Sequence, residues 1–186
     1  IGLLGLVKME FFPASTRPEL IVQLKLQEGA SVKNTEEIAR QFAEKLDQES
    51  QISYYTYHVG EGAPRFVLSF EPTFNKPNFS EFIIVAKDDK ARDELGMKIS
   101  KLMNEEFPDV MVHTKVISNG PSADYPVMLR VKGPDHDKVR EIAKQVESSM
   151  ATDPGVKNVN LNWYEKSKIM HLAIDQDKAR KLGVTS

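Results

Sequence analysis

Residues 20–59 read LIVQLKLQEGASVKNTEEIARQFAEKLDQESQISYYTYHV, and this stretch decides the fold. LIVQLKLQ alternates along 20–27, with Val22, Leu24 and Leu26 on the more apolar side, the period of a strand. Gly29 ends it, and Ser31 is a candidate N-cap, with Asn34 or Thr35 as alternatives. Ile38, Phe42 and Leu46 then recur at i, i+4 and i+8, one apolar helical stripe facing a sheet. ISYYTYHV returns as a strand, so the unit is βαβ. It recurs in 126–163 as PVMLRVKG, DHDKVREIAKQVESSM and PGVKNVNLNW. The helices share a pattern, Glu37-Ile38-Ala39-Arg40-Gln41 against Glu141-Ile142-Ala143-Lys144-Gln145. A third copy lies between them: EFIIVAKD, DKARDELGMKISKLMNEEF and DVMVHTKV.

Repetition of a supersecondary unit sets the architecture before any single motif is read. Two βαβ units complete a βαββαβ sheet with two helices on one face. The expected class is therefore α+β: a ferredoxin-like subdomain followed by a second, incomplete βαβ subdomain. With one unit only, the second should leave sheet edges open, and the inward residues of its helix, Val139, Ile142, Val146 and Met150, should cover only part of a core. GEGAP at 60–64 reads as a tight turn with Arg65–Glu71 returning as a strand, making 51–71 a hairpin. PTFNKPNF at 72–79 is a loop, 81–87 a strand, and Leu95, Ile99, Leu102 and Met103 form a helix face that Pro108 closes. SNGPSADYP at 118–126 is the candidate linker. IMHLAIDQ and DKARKLG suggest a strand entering a further helix.

The bulk composition narrows function. The 186 residues carry 25 Lys and Arg against 27 Asp and Glu, a formal net charge of −2, so no nucleic-acid partner is indicated. The mixed run Asp88-Asp89-Lys90-Ala91-Arg92-Asp93-Glu94 reads as a solvated helix surface. With 0 Cys, disulfides, thiol catalysis and thiolate metal sites are excluded. His58, His113, His136 and His171 show no helical i, i+4 metal spacing, although His58 and His113 could be neighbours on adjacent strands. No nucleophile elbow or nucleotide-binding fingerprint is present. No catalytic residue, metal or cofactor is expected. The aromatics Tyr54, Tyr55, Tyr57, Phe66 and Phe70 concentrate on the expected hairpin, and Phe74 and Phe79 on the loop after it. Alternate strand residues face opposite sides, so the outward half are candidates to line a cleft for an apolar ligand.

Several stretches in order carry a family resemblance: Phe11-Phe12-Pro13, LQEGAS at 26–31, VGEGAPRF at 59–66, FPDV at 107–110, GPSADYPVMLRV at 120–131, PGVKNV at 154–159 and IDQDKARKLGVTS at 174–186. The chain resembles the periplasmic porter region of resistance–nodulation–division efflux transporters of the acriflavine-resistance type, in the large loop of the second half of the protein. The resemblance implies four parts. Residues 1–13 would be a membrane-exit stub, 14–118 the first C-terminal porter subdomain, 119–165 the first half of the second, and 166–186 the start of a docking subdomain. It implies a periplasmic loop of a bacterial inner-membrane protein, attached through transmembrane helices outside this chain. It further implies a proton-driven homotrimeric pump, a membrane-fusion adaptor and hydrophobic or amphiphilic substrates, with no cofactor. The cleft residues indicated are Tyr55, Tyr57 and Phe66, together with the loop Gly60, Glu61, Gly62, Ala63 and Pro64. That loop departs from the longer, Phe-bearing switch loop of drug pumps, so the aromatic gate is expected to be missing. A soluble regulatory module that binds small ligands between paired βαβ units is the alternative from another class. A small hydrolase on the same fold would need an arginine in the loop QEGASVK, which has none.

Overall fold

The computed structural model describes residues 15–118, 120, 125, 127–156, 159–163, 166, 168 and 170–183. The first two βαβ units close into one sheet. Strands β1 (Glu19–Lys25), β2 (Ile52–Val59), β3 (Phe79–Ala86) and β4 (Met111–Val116) alternate with helices α1 (Val32–Leu46) and α2 (Asp89–Glu106). The sheet order is β2-β3-β1-β4, every pair antiparallel, which is the ferredoxin-like βαββαβ arrangement. The expected class is thereby met.

Local chemistry explains the elements. Ser31 caps α1, its hydroxyl accepting the Asn34 N–H at 3.2 Å. Thr35, Ala39, Phe42, Ala43 and Leu46 are buried on one stripe of that helix. Gly29 takes a φ of +94°, the left-handed turn that reverses the chain between β1 and α1. Asp88 caps α2, which buries Arg92, Leu95, Ile99 and Met103. Both helices cover the face that carries Leu20, Val22, Leu24, Phe82, Ile84 and Val112. Phe42 meets Phe82 edge-on with centroids 4.8 Å apart, the favourable T-shaped pairing.

The sequence reading of Asp88–Glu94 as a solvated surface is corrected at Arg92, which is buried. Its Nη1 donates to the carbonyls of Ser15 at 2.7 Å and Arg17 at 2.6 Å, and its Nε donates to Asp93 at 2.8 Å. The guanidinium thus pins the segment leading into β1 onto the first turns of α2. Burial is tolerated because its donors are matched by carbonyls and a carboxylate.

The hairpin reading of 51–71 is also corrected. Residues 65–71 form no strand, and β2 pairs instead with β3. Pro64 lacks an N–H, and Phe70 N–H turns back to the Val67 carbonyl at 3.1 Å rather than into a ladder. The connection between the paired strands is therefore the whole of 60–78. The histidine expectation falls with it: His58 lies on β2 and His113 on β4, the two opposite edges of the sheet.

Beyond residue 125 the described residues hold two helices, α3 (His136–Ala151) and α4 (Gln176–Lys181), neither with a buried residue. Asp135 caps α3 by accepting from the N–H groups of Asp137 and Lys138. Trp163 lies against its first turns, with the Arg140 guanidinium 4.9 Å from the ring centre. The strands expected at 126–133, 154–163 and 169–176 do not form ladders among the described residues. A strand needs a neighbour for its N–H and C=O groups, and among the described residues none pairs with these segments. The linker at 118–126 lies mostly outside the described residues, as does the whole of 1–14.

Candidate functional site

The second face of the sheet is covered by the connection 60–78 rather than by a helix. This segment is a loop with close ends. Gly60 donates to the Phe79 carbonyl at 2.8 Å, Lys76 to the Gly60 carbonyl at 2.6 Å, and Gly62 to the Thr73 carbonyl at 2.7 Å. Gly60 holds a φ of +81°, which a side chain would strain. Beyond this neck the loop spreads over the sheet as a strap. Ala63 and Phe70 are buried against Ile21 and Ile117, with Val67 and Ile83 packed at the margin. The Lys115 ammonium lies 5.9 Å from the Phe70 ring centre. Ser69 donates to the Ser118 carbonyl at 2.9 Å, fastening the far end.

The strap's exposed side chains are mixed, with Phe66, Leu68 and Phe74 among Glu61, Arg65 and Glu71. Phe66 is 46% exposed, Leu68 88% and Phe74 80%. Phe66 leans on Phe70 with centroids 4.9 Å apart, so an exposed ring sits on a buried one. Three exposed large apolar side chains within one short loop are candidates for an interaction surface.

The structure separates the three cleft residues expected from sequence. Phe66 belongs to the strap. Tyr55 and Tyr57 pair with Ile84 and Phe82 on β3, the face that the helices cover. Tyr55 is half-buried there, and its hydroxyl donates to the Asp47 carboxylate at 2.6 Å. Burial, followed by that bond, pushes its ionisation up to about 12. Tyr57 stacks on Phe82 with centroids 4.8 Å apart and remains 40% exposed at the sheet edge. Gly60, Glu61, Gly62, Ala63 and Pro64 form the first limb of the strap, with Gly60 beside Val32 at the start of α1 and Ala63 buried against Ile21.

Sequence reading missed Phe70 as the anchor of the strap, and Leu68 and Phe74 as its outward surface. The connection that joins the paired strands is longer than Gly60–Pro64 and carries Phe66, Phe70 and Phe74. Pro64 and Pro72 bracketing RFVLSFE were the available signal, since proline at both ends disfavours a paired strand. Among the described residues no group of three or more His, Asp or Glu comes together as a metal site. No helix among them is long and apolar enough to cross a membrane.

Two helices on one face of an antiparallel βαββαβ sheet, and the strap 60–78 on the other, define an α+β domain. The chain belongs to the AcrB/AcrD/AcrF family, whose match runs over residues 1–186. It is accordingly a porter-type sequence of a resistance–nodulation–division efflux transporter. That family comprises transporters rather than enzymes. No curated protein matches the chain.

Proposed function

We propose that this chain forms part of the substrate path of a proton-driven efflux pump, in the periplasmic region of a bacterial inner-membrane protein, and that the strap 60–78 borders that path. The observation that carries the reading is the set of exposed apolar side chains on the strap, Phe66, Leu68 and Phe74, with the Phe66 ring resting on buried Phe70. Rings and branched chains displayed in this way meet hydrophobic or amphiphilic drugs through apolar contact, without the fixed polar geometry that would select one molecule. Family membership supports a homotrimeric pump working with a membrane-fusion adaptor. The division at 14–118, 119–165 and 166–186 into porter and docking parts, after a stub at 1–13, belongs to the same proposal. No catalytic step or cofactor is assigned to the chain.

Within the cleft Phe66 takes the leading part. Tyr57 is a secondary candidate at the sheet edge, and Tyr55 serves the core. In the intact pump, Phe66→Ala should alter susceptibility to apolar drugs by roughly two- to tenfold at normal expression, the scale of one aromatic contact. Tyr55→Ala should instead reduce the amount of folded protein. Unchanged susceptibility for Phe66→Ala at equal expression would contradict the reading.

A further inference from the structure

Beneath the strap lies a polar group in an apolar place. Glu81 on β3 is fully buried, on the face that also carries Ile21, Ile83 and Ile117. The registers put His58, Glu81, Gln23 and His113 side by side across all four strands. One carboxyl oxygen, Oε1, accepts from Gln23 Nε2 at 2.7 Å. The other, Oε2, accepts the backbone N–H of Ala63 at 2.8 Å. Ala63 belongs to the strap, so this side chain ties the strap to the sheet from below.

The fit at that point is close. A Cβ on Gly62 would stand 2.8 Å from Glu81 Oε2 and 3.0 Å from the Thr73 nitrogen. Only glycine lets the strap backbone rest on the carboxyl group, and the Gly62 conformation is otherwise open to an L-residue. An apolar residue at 81 would extend the floor of Ile21 and Ile83, but it would leave the buried Ala63 N–H without its acceptor. The carboxyl group costs desolvation and returns two directed bonds, each of which water can replace when the strap lifts.

We propose that Glu81 is a latch: it sets how often residues 61–74 lift from the sheet, and lifting uncovers the apolar floor of Ile21, Ile83 and Ile117. Glu81 acts as a positioning residue for the strap. That the uncovered floor receives an apolar molecule rests on the transport reading above, whereas the latch itself does not.

The test is amide hydrogen exchange on the 186-residue chain, resolved by peptide, for Glu81→Leu and Gly62→Ala. Leucine fills much of the same volume but offers no acceptor to Gln23 or Ala63. Gly62→Ala pushes the strap off the same carboxyl group by its clash with Oε2, leaving Glu81 itself unchanged. In both variants exchange across 61–74 should quicken by roughly tenfold to a hundredfold, while β1 and α1 keep their rates. Trypsin cleavage after Arg65, an exposed strap residue, should quicken in parallel. Unchanged exchange at 61–74 overturns the latch. Equal quickening in β1 and α1, or loss of fold in both variants, also overturns it, because Glu81 would then support the whole domain. Drug susceptibility of Phe66→Ala reads the transport proposal separately, so either idea can fail alone.

Discussion

The pentapeptides Glu37–Gln41 and Glu141–Gln145 differ at one position, Arg40 against Lys144, yet their helices end in opposite situations. Both are capped at the start, by Ser31 and by Asp135. Both carry the same Gln-to-Glu contact one turn apart, Gln41 to Glu37 and Gln145 to Glu141. In α1 the apolar stripe is buried, with Ala39 and Phe42 at 0% exposure. In α3 no residue is buried, and Ile142 is 48% exposed. Local sequence makes both helices; among the described residues only the first covers a sheet. An amphipathic pattern specifies a face, and a partner surface turns that face into stability.

The sharpest way to break this comparison is to shave the two stripes. Phe42→Ala removes a ring from a closed core and should cost about 3–5 kcal/mol, enough to unfold a marginal domain. Ile142→Ala, at a position almost half exposed, should stay within about 0.5 kcal/mol. Urea titration of each variant measures both. A large loss at Ile142 would mean that α3 is packed as α1 is.

A smaller effect sharpens the comparison through pH. Tyr55 joins β2 to the end of α1 through Asp47, a tie among the buried elements. Tyr55→Phe should cost about 1 kcal/mol near neutral pH, the worth of one hydrogen bond. The folded state raises the phenol from an ordinary 10.0 to about 12, so it favours the neutral form. That stability is fully present below pH 10 and is lost as pH rises from 10 towards 12. The urea midpoint of the parent chain should therefore fall more steeply across that window than that of Tyr55→Phe. Identical pH profiles would remove Tyr55 from the tie.

The parts legible in the sequence were those where one local period decides the outcome. Val22 and Leu24 alternate as a strand, Ile38, Phe42 and Leu46 repeat as a helix, and Ser31 caps where a cap was expected. The repeated βαβ order gave the sheet topology. The parts that escaped were decided at a distance. RFVLSFE has strand-forming residues, but β3 already fills the place beside β2, and two prolines hold the segment out of the ladder. Glu81 and Arg92 look like surface charges in a linear reading. Their burial depends on Gln23, Ala63, Ser15 and Arg17, whose atoms only the fold brings near. At the candidate site, Tyr55, Tyr57 and Phe66 share composition and proximity in sequence, and a register of period two combined with the rerouted strap puts them on different faces. In 126–183 the apolar runs were readable, but a strand also needs a neighbour, which no single-segment pattern supplies.

The central contrast is between a closed sheet domain at 15–118 and helices at 136–181 that bury nothing. Amide exchange across the 186-residue chain under native conditions measures it directly. Peptides from β1, β3 and α1 should be protected by the full unfolding free energy, while those from α3 and α4 should exchange at rates near those of isolated helices. Protection of 136–151 equal to that of 32–46 would contradict the contrast, because α3 would then possess a buried face of its own.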